Sequence, residues 1–271
     1  MKLHKAILPL LLASAGTALA GPAAESAPAL GNTAVSEPNG KLDIGYANLD
    51  SEEAWLLGGS FSMPIADSYG FQLDGLFTDA EDTDFTGIGG HLFWRDHEVG
   101  LLGITAGGVF GSDVDAWEAG VEAEYYMNEW LTIGARAGYA DIEFDTGPFF
   151  ADADDDGFYG LLYLTAYATE DLAITVSVAS RFDRTAYSIG AEYDLPVKNL
   201  TATAEAMWGE DDYDHVMFGL RYYFGSEKSL RDRHRTDDPP NLLYGLVEPS
   251  QRRPDSGEKR EREECRICEE G

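Results

Sequence analysis

The chain has 271 residues, of which 49 are Asp or Glu and 19 are Lys or Arg, and its net charge is −30. This charge argues against nucleic acid as a partner, because neutralising phosphates requires Lys and Arg. Beyond the N-terminus no apolar stretch reaches the ~20 residues that a membrane-spanning helix needs. A helical membrane protein is therefore excluded, and the length suits one large all-β domain.

The first residues have the three-part pattern of a secretory signal peptide. Lys2 and Lys5 precede a short apolar run, and Ala18-Leu19-Ala20 supplies small residues at the cleavage site. We predict a signal peptide over residues 1–20. A flexible periplasmic lead over residues 21–40 is predicted to follow, because this stretch is rich in Ala, Pro, Ser, Gly and Asn.

From residue 41 to residue 225 the sequence alternates between apolar and small or polar residues in short segments. Such alternation places every second side chain on one face of a β-strand. In the last segment Val216, Phe218 and Leu220 share a face with Tyr222 and Phe224. The candidate strands are about 41–48, 54–64, 69–78, 84–95, 98–110, 115–127, 130–141, 157–168, 172–182, 186–195, 200–208 and 215–224.

The connections between these candidate strands alternate between longer acidic ones and short ones. Asp141–Gly157 is the longest acidic connection, whereas Asp96-His97 and Asn128-Glu129 are short. This alternation is typical of transmembrane hairpins with short periplasmic turns and longer outer loops. We therefore predict an all-β fold, an up-and-down antiparallel transmembrane β-barrel over residues 41–225. Twelve strands are expected, with ten or fourteen as alternatives, and an even number places both termini in the periplasm.

Tryptophans and cysteines support the same fold. Every tryptophan lies near the end of a candidate strand, as expected for rings at the headgroup level of a membrane; they are Trp55, Trp94, Trp117, Trp130 and Trp208. Both cysteines, Cys265 and Cys268, lie near the C-terminus, so no disulfide framework holds the β region together.

The closing segment Phe218–Phe224 resembles the C-terminal signal that Gram-negative outer-membrane β-barrels present to their assembly machinery. The chain is most similar to the small porin-like members of that group. The resemblance implies an outer-membrane location and contacts with outer-membrane lipid and lipopolysaccharide. It also implies recognition of the strand ending at Phe224 by the barrel-assembly machinery, although residues 225–271 follow that aromatic here and the group usually ends on it.

Residues 226–271 differ from the barrel region in composition. They are rich in Arg, Glu and Pro and contain few apolar residues. Such a segment cannot bury a core of its own, so we predict a charged, disordered C-terminal tail. Cys265 and Cys268 form a single CxxC motif, for which incidental cysteines and a redox or half-metal site are the alternatives.

Charged residues on the candidate strands should face the barrel interior, because a charge facing lipid near the midplane costs a few kcal/mol. The predicted pore-lining residues are Glu118, Glu122, Glu124, Arg136, Glu192, Glu205 and Arg221. Their excess of carboxylates would favour cations in a water-filled pore. The alternative is that arginines and carboxylates pair and fill the interior, since twelve strands lie between filled eight-stranded barrels and open sixteen-stranded porins.

Asp152, Asp154 and Asp156 form a weak candidate for cation binding in an outer loop. Their spacing is similar to the start of a calcium-binding loop, because hard cations prefer several oxygen ligands. The glutamate required at the twelfth position is absent, and Tyr163 stands there instead. A solvated acidic loop is the alternative, and we predict neither a metal site nor a cofactor.

Three functions are compatible with these patterns. We predict a porin-like outer-membrane channel for passive diffusion of small solutes, with a preference for cations. The alternatives are a non-conducting structural or adhesive barrel that uses its acidic outer loops, and a hydrolase at the outer rim centred on Asp214 and His215. No catalytic set can be assigned from the sequence, so we predict that the protein is not an enzyme.

Overall fold

A computed structural model describes residues 33–49, 52–80, 84–112, 114–144, 153–182, 184–210 and 214–251. The predicted signal peptide, residues 21–32 of the lead and residues 252–271 lie outside the described residues. Cys265 and Cys268 of the CxxC motif therefore also lie outside the described residues.

The structure contains twelve β-strands, as the sequence predicts. They are β1 (Asn39–Leu49), β2 (Glu52–Ala66), β3 (Tyr69–Ala80), β4 (Phe85–Asp96), β5 (Gly100–Gly111), β6 (Val114–Asn128), β7 (Leu131–Phe144), β8 (Ala153–Thr169), β9 (Leu172–Arg181), β10 (Arg184–Asp194), β11 (Leu200–Gly209) and β12 (Asp214–Phe224). Two short helices follow β12, namely α1 (Leu230–Thr236) and α2 (Tyr244–Gln251).

Each strand pairs antiparallel with its neighbours in sequence, and β1 pairs with β12 to close the barrel. In the closing pair Leu42 lies opposite Tyr222 and Ile44 opposite Leu220. Closure leaves no strand with an unpaired edge, which is what allows a sheet to stand in lipid. The predicted fold, an up-and-down barrel of twelve strands, is confirmed.

The barrel has two ends, which we name by their connections. The short-turn end carries the start of β1 and the end of β12. It also carries the turns that join β2 to β3, β4 to β5, β6 to β7, β8 to β9 and β10 to β11. The opposite, loop end carries the acidic connections. These are shorter than the sequence suggests, because strand pairing continues into them. Glu143 of β7 pairs with Asp154 of β8, which leaves residues 145–152 between the two strands.

The outer surface of the barrel is apolar. Ile44, Leu102 and Phe218 are among the many large hydrophobic side chains that are half exposed there. A continuous apolar band would be unfavourable in water and matches the hydrocarbon region of a membrane. Trp55 and Trp117 lie near the loop end and Trp130 at the short-turn end. No helix in the described part of the chain is long and apolar enough to cross a membrane.

The prediction of a disordered tail is wrong for residues 226–251, which fold and run into the barrel. Composition predicts disorder when a segment has too few apolar residues to bury a core by itself. Here the inner wall of the barrel supplies the other half of the core. Leu242, Leu243 and Leu246 are fully buried against it.

Candidate channel lumen

Helix α1 lies across the short-turn end of the barrel. Its N-terminus is capped by Ser229, whose hydroxyl accepts a hydrogen bond from the Asp232 amide at 3.2 Å. Arg233 donates to the side-chain carbonyl of Asn199 at 2.8 Å. The Arg235 guanidinium lies 5.0 Å from the centre of the Tyr126 ring, a distance at which a cation is attracted to an aromatic face. These contacts hold α1 over the opening.

The residues before β1 complete this cover. The Ala34 amide donates to the carbonyl of Asp67 in the β2–β3 turn at 2.9 Å. The Ser36 amide donates to the carbonyl of Thr236 at the end of α1, also at 2.9 Å. Both flanks of the barrel sequence therefore meet at the short-turn end.

After α1 the chain enters the lumen, and we call residues 238–247 the inserted segment. Asp238 forms a buried ion pair with Lys41 of β1, and the Lys41 ammonium also donates to the Pro239 carbonyl at 3.1 Å. The side-chain amide of Gln72 donates to the same carbonyl at 3.2 Å. The start of the segment is thus held by polar contacts to β1 and β3.

Further along, the inserted segment bonds to the wall through its own backbone and one amide side chain. The Leu242 amide donates to the Asp74 carboxylate at 2.8 Å. The Asn241 side chain donates to the carbonyl oxygens of Gly59 at 3.1 Å and Gly75 at 3.4 Å. Backbone groups that leave water must find such partners, because an unpaired buried group costs about 1–3 kcal/mol.

The end of the inserted segment packs into the apolar core near the loop end. Leu243, Leu246 and Val247 share one buried cluster with wall residues such as Phe85 and Ile142. Burying one leucine side chain contributes about 1.5–3 kcal/mol relative to leaving it in water. The segment therefore reaches from the short-turn end to the layer of side chains beneath the loops.

Glycines on β4 and β5 make room for the inserted segment. A side-chain carbon added at Gly89 would lie 3.1 Å from Leu242 and 3.3 Å from Leu243. One added at Gly107 would lie 2.9 Å from Leu242, and one at Gly87 would lie 3.1 Å from Leu243. We call strands β2–β5 the segment-facing wall. Its inner surface is a groove whose depth is set by these missing side chains.

The opposite side of the lumen, strands β7–β12, is the cavity-facing wall and is rich in charged and hydroxyl groups. Arg221 of β12 lies between two carboxylates, bonding to Asp43 and to Glu192 at 2.6 Å. Glu192 also accepts hydrogen bonds from Thr201 at 2.7 Å and from the Tyr223 hydroxyl at 2.8 Å. A buried charge is tolerated when paired and hydrogen-bonded in this way.

A second ion cluster lies in the segment-facing half of the lumen. The two ring nitrogens of His91 each lie 2.9 Å from a carboxylate oxygen, one of Asp74 and the other of Glu122. Only a doubly protonated imidazole donates two hydrogen bonds, so this geometry fits an imidazolium between two carboxylates. Arg136 approaches Glu122 at 3.8 Å. Since Asp74 also holds Leu242, the cluster supports the inserted segment.

Glu118 is linked to the inserted segment through Arg181. Its carboxylate bonds to Arg181 of β9, which also donates to the Gly245 carbonyl at the start of α2. The Arg181 guanidinium lies 4.8 Å from the centre of the Tyr159 ring. Arg181 therefore joins the wall to α2.

Glu124 and Glu205 have a different environment. Glu124 accepts hydrogen bonds from the Tyr163 hydroxyl at 2.6 Å and from the Tyr126 hydroxyl at 3.3 Å. Glu205 lies 3.2 Å from His215 and is one-third exposed. Among the described residues neither carboxylate has a Lys or Arg partner within 4 Å.

The structure places all seven predicted pore-lining residues on the inner face of the barrel. It brings Glu122 together with Arg136, and Glu192 with Arg221. Glu205 lies apart from both pairs. The pairing alternative from the sequence therefore describes much of the wall, while a cavity also remains.

This cavity has a volume of about 340 Å³ and lies between the inserted segment and the cavity-facing wall. Five of the charged residues that line it are carboxylates and three are Lys or Arg, namely Asp43, Glu124, Glu192, Glu205 and Asp238 against Lys41, Arg136 and Arg221. Hydroxyl groups of Thr175, Ser177 and Thr203 add to the polar part of the lining, and apolar side chains such as Leu161 and Met217 also line the cavity.

The weak cation candidate and the hydrolase alternative both concern the loop end of the barrel. Asp152 lies outside the described residues, Asp154 pairs through its backbone with Glu143, and Asp156 is exposed and accepts a hydrogen bond from Tyr139. Among the described residues no group of three or more His, Cys, Asp or Glu side chains is placed to hold a metal ion.

His215, the centre of the hydrolase alternative, is buried on the inner face, whereas Asp214 is exposed. The two side chains therefore diverge. Sequence reasoning missed residues 238–247 as part of the lumen, and the only signal for them was the apolar group Leu242-Leu243 with Leu246-Val247 in an otherwise polar tail.

Comparison with known proteins places the fold among outer-membrane barrels. The KdgM porin has a TM-score of 0.53 at 12% identity, covering 68% of this chain and 99% of that one. An outer-membrane channel from Pseudomonas putida F1 has a TM-score of 0.52 at 12% identity, covering 75% and 98%. The NanC porin has a TM-score of 0.50 at 10% identity, covering 67% and 98%.

These likenesses show the fold, and with the apolar exterior they support an outer-membrane location. No family model matches the sequence, and no curated protein matches it. The predicted resemblance to outer-membrane β-barrels of porin-like architecture is confirmed.

Proposed function

We propose that this protein is an outer-membrane channel for passive diffusion of small solutes, with a preference for cations. The observation that carries the proposal is the cavity of about 340 Å³ beside the inserted segment. Carboxylates and hydroxyls lie among apolar side chains such as Leu161 and Met217 along its lining, whereas an interior built only to be filled would leave no such space. The proposal has the short-turn end, with both termini, facing the periplasm, in keeping with other barrels of this architecture.

The preference for cations follows from the charges along this cavity. Arg221 is shared by two carboxylates, and Lys41 is paired with Asp238. Glu124 and Glu205 then remain as fixed negative charges beside the path. Carboxylates that line a pore raise the local concentration of cations and repel anions.

The test is the reversal potential of the folded full chain in a planar bilayer with a salt gradient. We expect a cation-directed potential that moves toward zero when Glu124 and Glu205 are both replaced by Gln. Glu118 and Glu122 are less suitable for this purpose, because their neutralisation would remove one charged partner from Arg181 and one from His91. Glu98→Gln, on an exposed turn, is the matched control and should change nothing.

An anion-directed potential would contradict the proposal, as would a cation-directed one that the double variant leaves unchanged. The filled half of the lumen favours one second candidate, a non-conducting structural barrel. A folded chain that carries no current under any condition would support that candidate instead. KdgM and NanC are named porins, which adds to the support for a channel.

A further inference from the structure

We propose that the inserted segment is a displaceable plug, for which the glycine-lined groove of the segment-facing wall is the binding site. When the plug leaves the groove, the cavity widens into the full lumen. This inference rests on the proposed channel function and names how that channel is closed.

The fit between groove and segment is the first argument. Leu242 and Leu243 occupy the space next to three wall glycines, namely Gly87, Gly89 and Gly107. An alanine side chain at any of these glycines would crowd the leucines. At Gly58 an added carbon would lie 2.2 Å from the Tyr244 hydroxyl. The wall is therefore shaped to this particular segment.

The polar contacts are equally specific. The Asp74 carboxylate accepts a hydrogen bond from the Leu242 amide at 2.8 Å. The Asn241 side chain donates one to the backbone carbonyl of Gly59 at 3.1 Å. Lys41 is buried with Asp238 at the start of the segment. A peptide that lacked an acidic residue there would leave the Lys41 ammonium buried without its charge partner, which is costly.

The second argument is that the segment can leave without breaking the barrel. It contributes no strand, so all twelve strand pairings remain when it moves. Its other side faces the cavity, where Pro240, Asn241 and Tyr244 form part of the lining. The chain connects it to β12 through Gly225, which has φ of 113°, a conformation that favours glycine. The exit is therefore toward the short-turn end, and it requires α1, which lies across that end, to move with the segment.

The ion pair between Lys41 and Asp238 is the latch to test. Asp238→Lys and Lys41→Asp each place two like charges at this buried position, whereas the double exchange restores an opposite pair. All variants are made in the full chain with Cys265→Ser and Cys268→Ser. Lys198→Asp serves as control, because the Lys198–Glu227 pair is largely exposed.

Two readouts are taken on each variant. The first is the rate at which a small water-soluble thiol reagent modifies Leu246→Cys, which reports whether the plug has left. The second is the open probability in a planar bilayer. A heat-modifiable shift in electrophoretic mobility confirms in each case that the barrel is closed.

We expect each single exchange to raise both the labelling rate and the open probability by roughly a hundredfold, and the double exchange to reverse most of the change. Equal labelling in all folded variants would overturn the plug, because the segment would then be a fixed part of the core. Faster labelling without any current would overturn the channel function and with it the gating role. Wild-type conductance equal to that of the variants would overturn the plug while leaving the channel intact.

Discussion

The two walls of the lumen use glycine and charge in different ways. On the segment-facing wall, Gly87 and Gly89 leave space that residues of the C-terminal segment occupy. On the cavity-facing wall, Gly134 leaves space for the ring of Tyr163 from the neighbouring strand, since an added carbon would lie 1.9 Å from that ring. The first wall therefore depends on a distant part of the chain to be complete, whereas the second is completed by adjacent strands.

The charges follow the same division. On the cavity-facing wall Arg221 and Glu192 pair between strands of the sheet. On the segment-facing wall Asp74 bonds to the Leu242 amide, and on the adjoining strand β1 Lys41 pairs with Asp238. Loss of the inserted segment would leave Lys41 and Asp74 without these partners, whereas the pair of Arg221 with Glu192 would stay matched. The following predictions test that difference.

The largest effect is expected on the cavity-facing wall itself. Arg221→Met leaves Asp43 and Glu192 buried without their shared cation, which should cost about 3–5 kcal/mol of the free energy of unfolding. The measurement is urea unfolding of the full chain in lipid vesicles. Lys198→Ala, in an exposed pair, should change the free energy by about 0–1 kcal/mol. Equal losses in the two variants would contradict the account of this wall.

Tyr163→Phe should have the next largest effect. It keeps the ring beside Gly134 but removes the hydrogen bond to Glu124 at 2.6 Å. Hydrogen bonds to charged groups contribute about 1.5–3 kcal/mol, and we expect a loss in that range in the same unfolding assay. Tyr125→Phe on the exposed outer face should stay within about 0.5 kcal/mol of wild type. An unchanged free energy of unfolding in Tyr163→Phe would show that water replaces the hydrogen bond to Glu124.

Gly89→Leu tests the groove on the other wall. The added side chain would overlap Leu242 and Leu243, and overpacking of this kind costs about 1–3 kcal/mol. We expect the segment to lose its protection from hydrogen exchange while the barrel strands keep theirs. Gly190→Leu on the cavity-facing wall is the matched control, because an added carbon there meets no atom closer than 3.5 Å. Equal protection of the segment in both variants would contradict the groove.

The smallest effect concerns the base of the segment outside the membrane. Hydrogen bonding by the Ser226 side chain and, to a smaller extent, by the Ser226 amide, which donates to Glu37 at 2.7 Å, holds the pKa of the Glu37 carboxyl below its usual range. A lowered pKa in the folded state means that the stabilisation is present at neutral pH. It is lost as the pH falls below the ordinary range of glutamate and through the lowered value.

Glu37→Gln should therefore remove a small acid-dependent loosening of residues 226–229. Hydrogen exchange at neutral and acidic pH measures it, with Glu98→Gln as the exposed control. If hydrogen exchange of residues 226–229 still becomes faster at acidic pH in Glu37→Gln, a group other than Glu37 causes the change.

The sequence was sufficient for the barrel because its signal is local. Alternation in segments such as 216–224 follows from the two faces of a single strand, and each strand carries its own evidence. The predicted strand ends were less accurate where backbone pairing continues into polar residues, as at Glu143 and Asp154. Backbone hydrogen bonds, which composition does not report, extend those strands.

The inserted segment could not be predicted in the same way. The space that Leu242 and Leu243 occupy on the wall is left by glycines about 150 residues earlier, whose contribution is an absence of atoms. The pairing of Asp238 with Lys41 is equally distant. The inward direction of Glu124 or Arg221 follows from the strand period, but which carboxylate meets which arginine depends on the closed register.

The most direct test of a lumen divided into a packed half and a half that contains the cavity compares two inward-facing positions in the folded full chain. Thr203→Cys lines the cavity and Leu243→Cys lies in the inserted segment, both with Cys265→Ser and Cys268→Ser. A small water-soluble thiol reagent should modify position 203 promptly. It should modify position 243 at least about tenfold more slowly, because only local opening exposes that thiol. Similar rates at the two positions would contradict the division of the lumen.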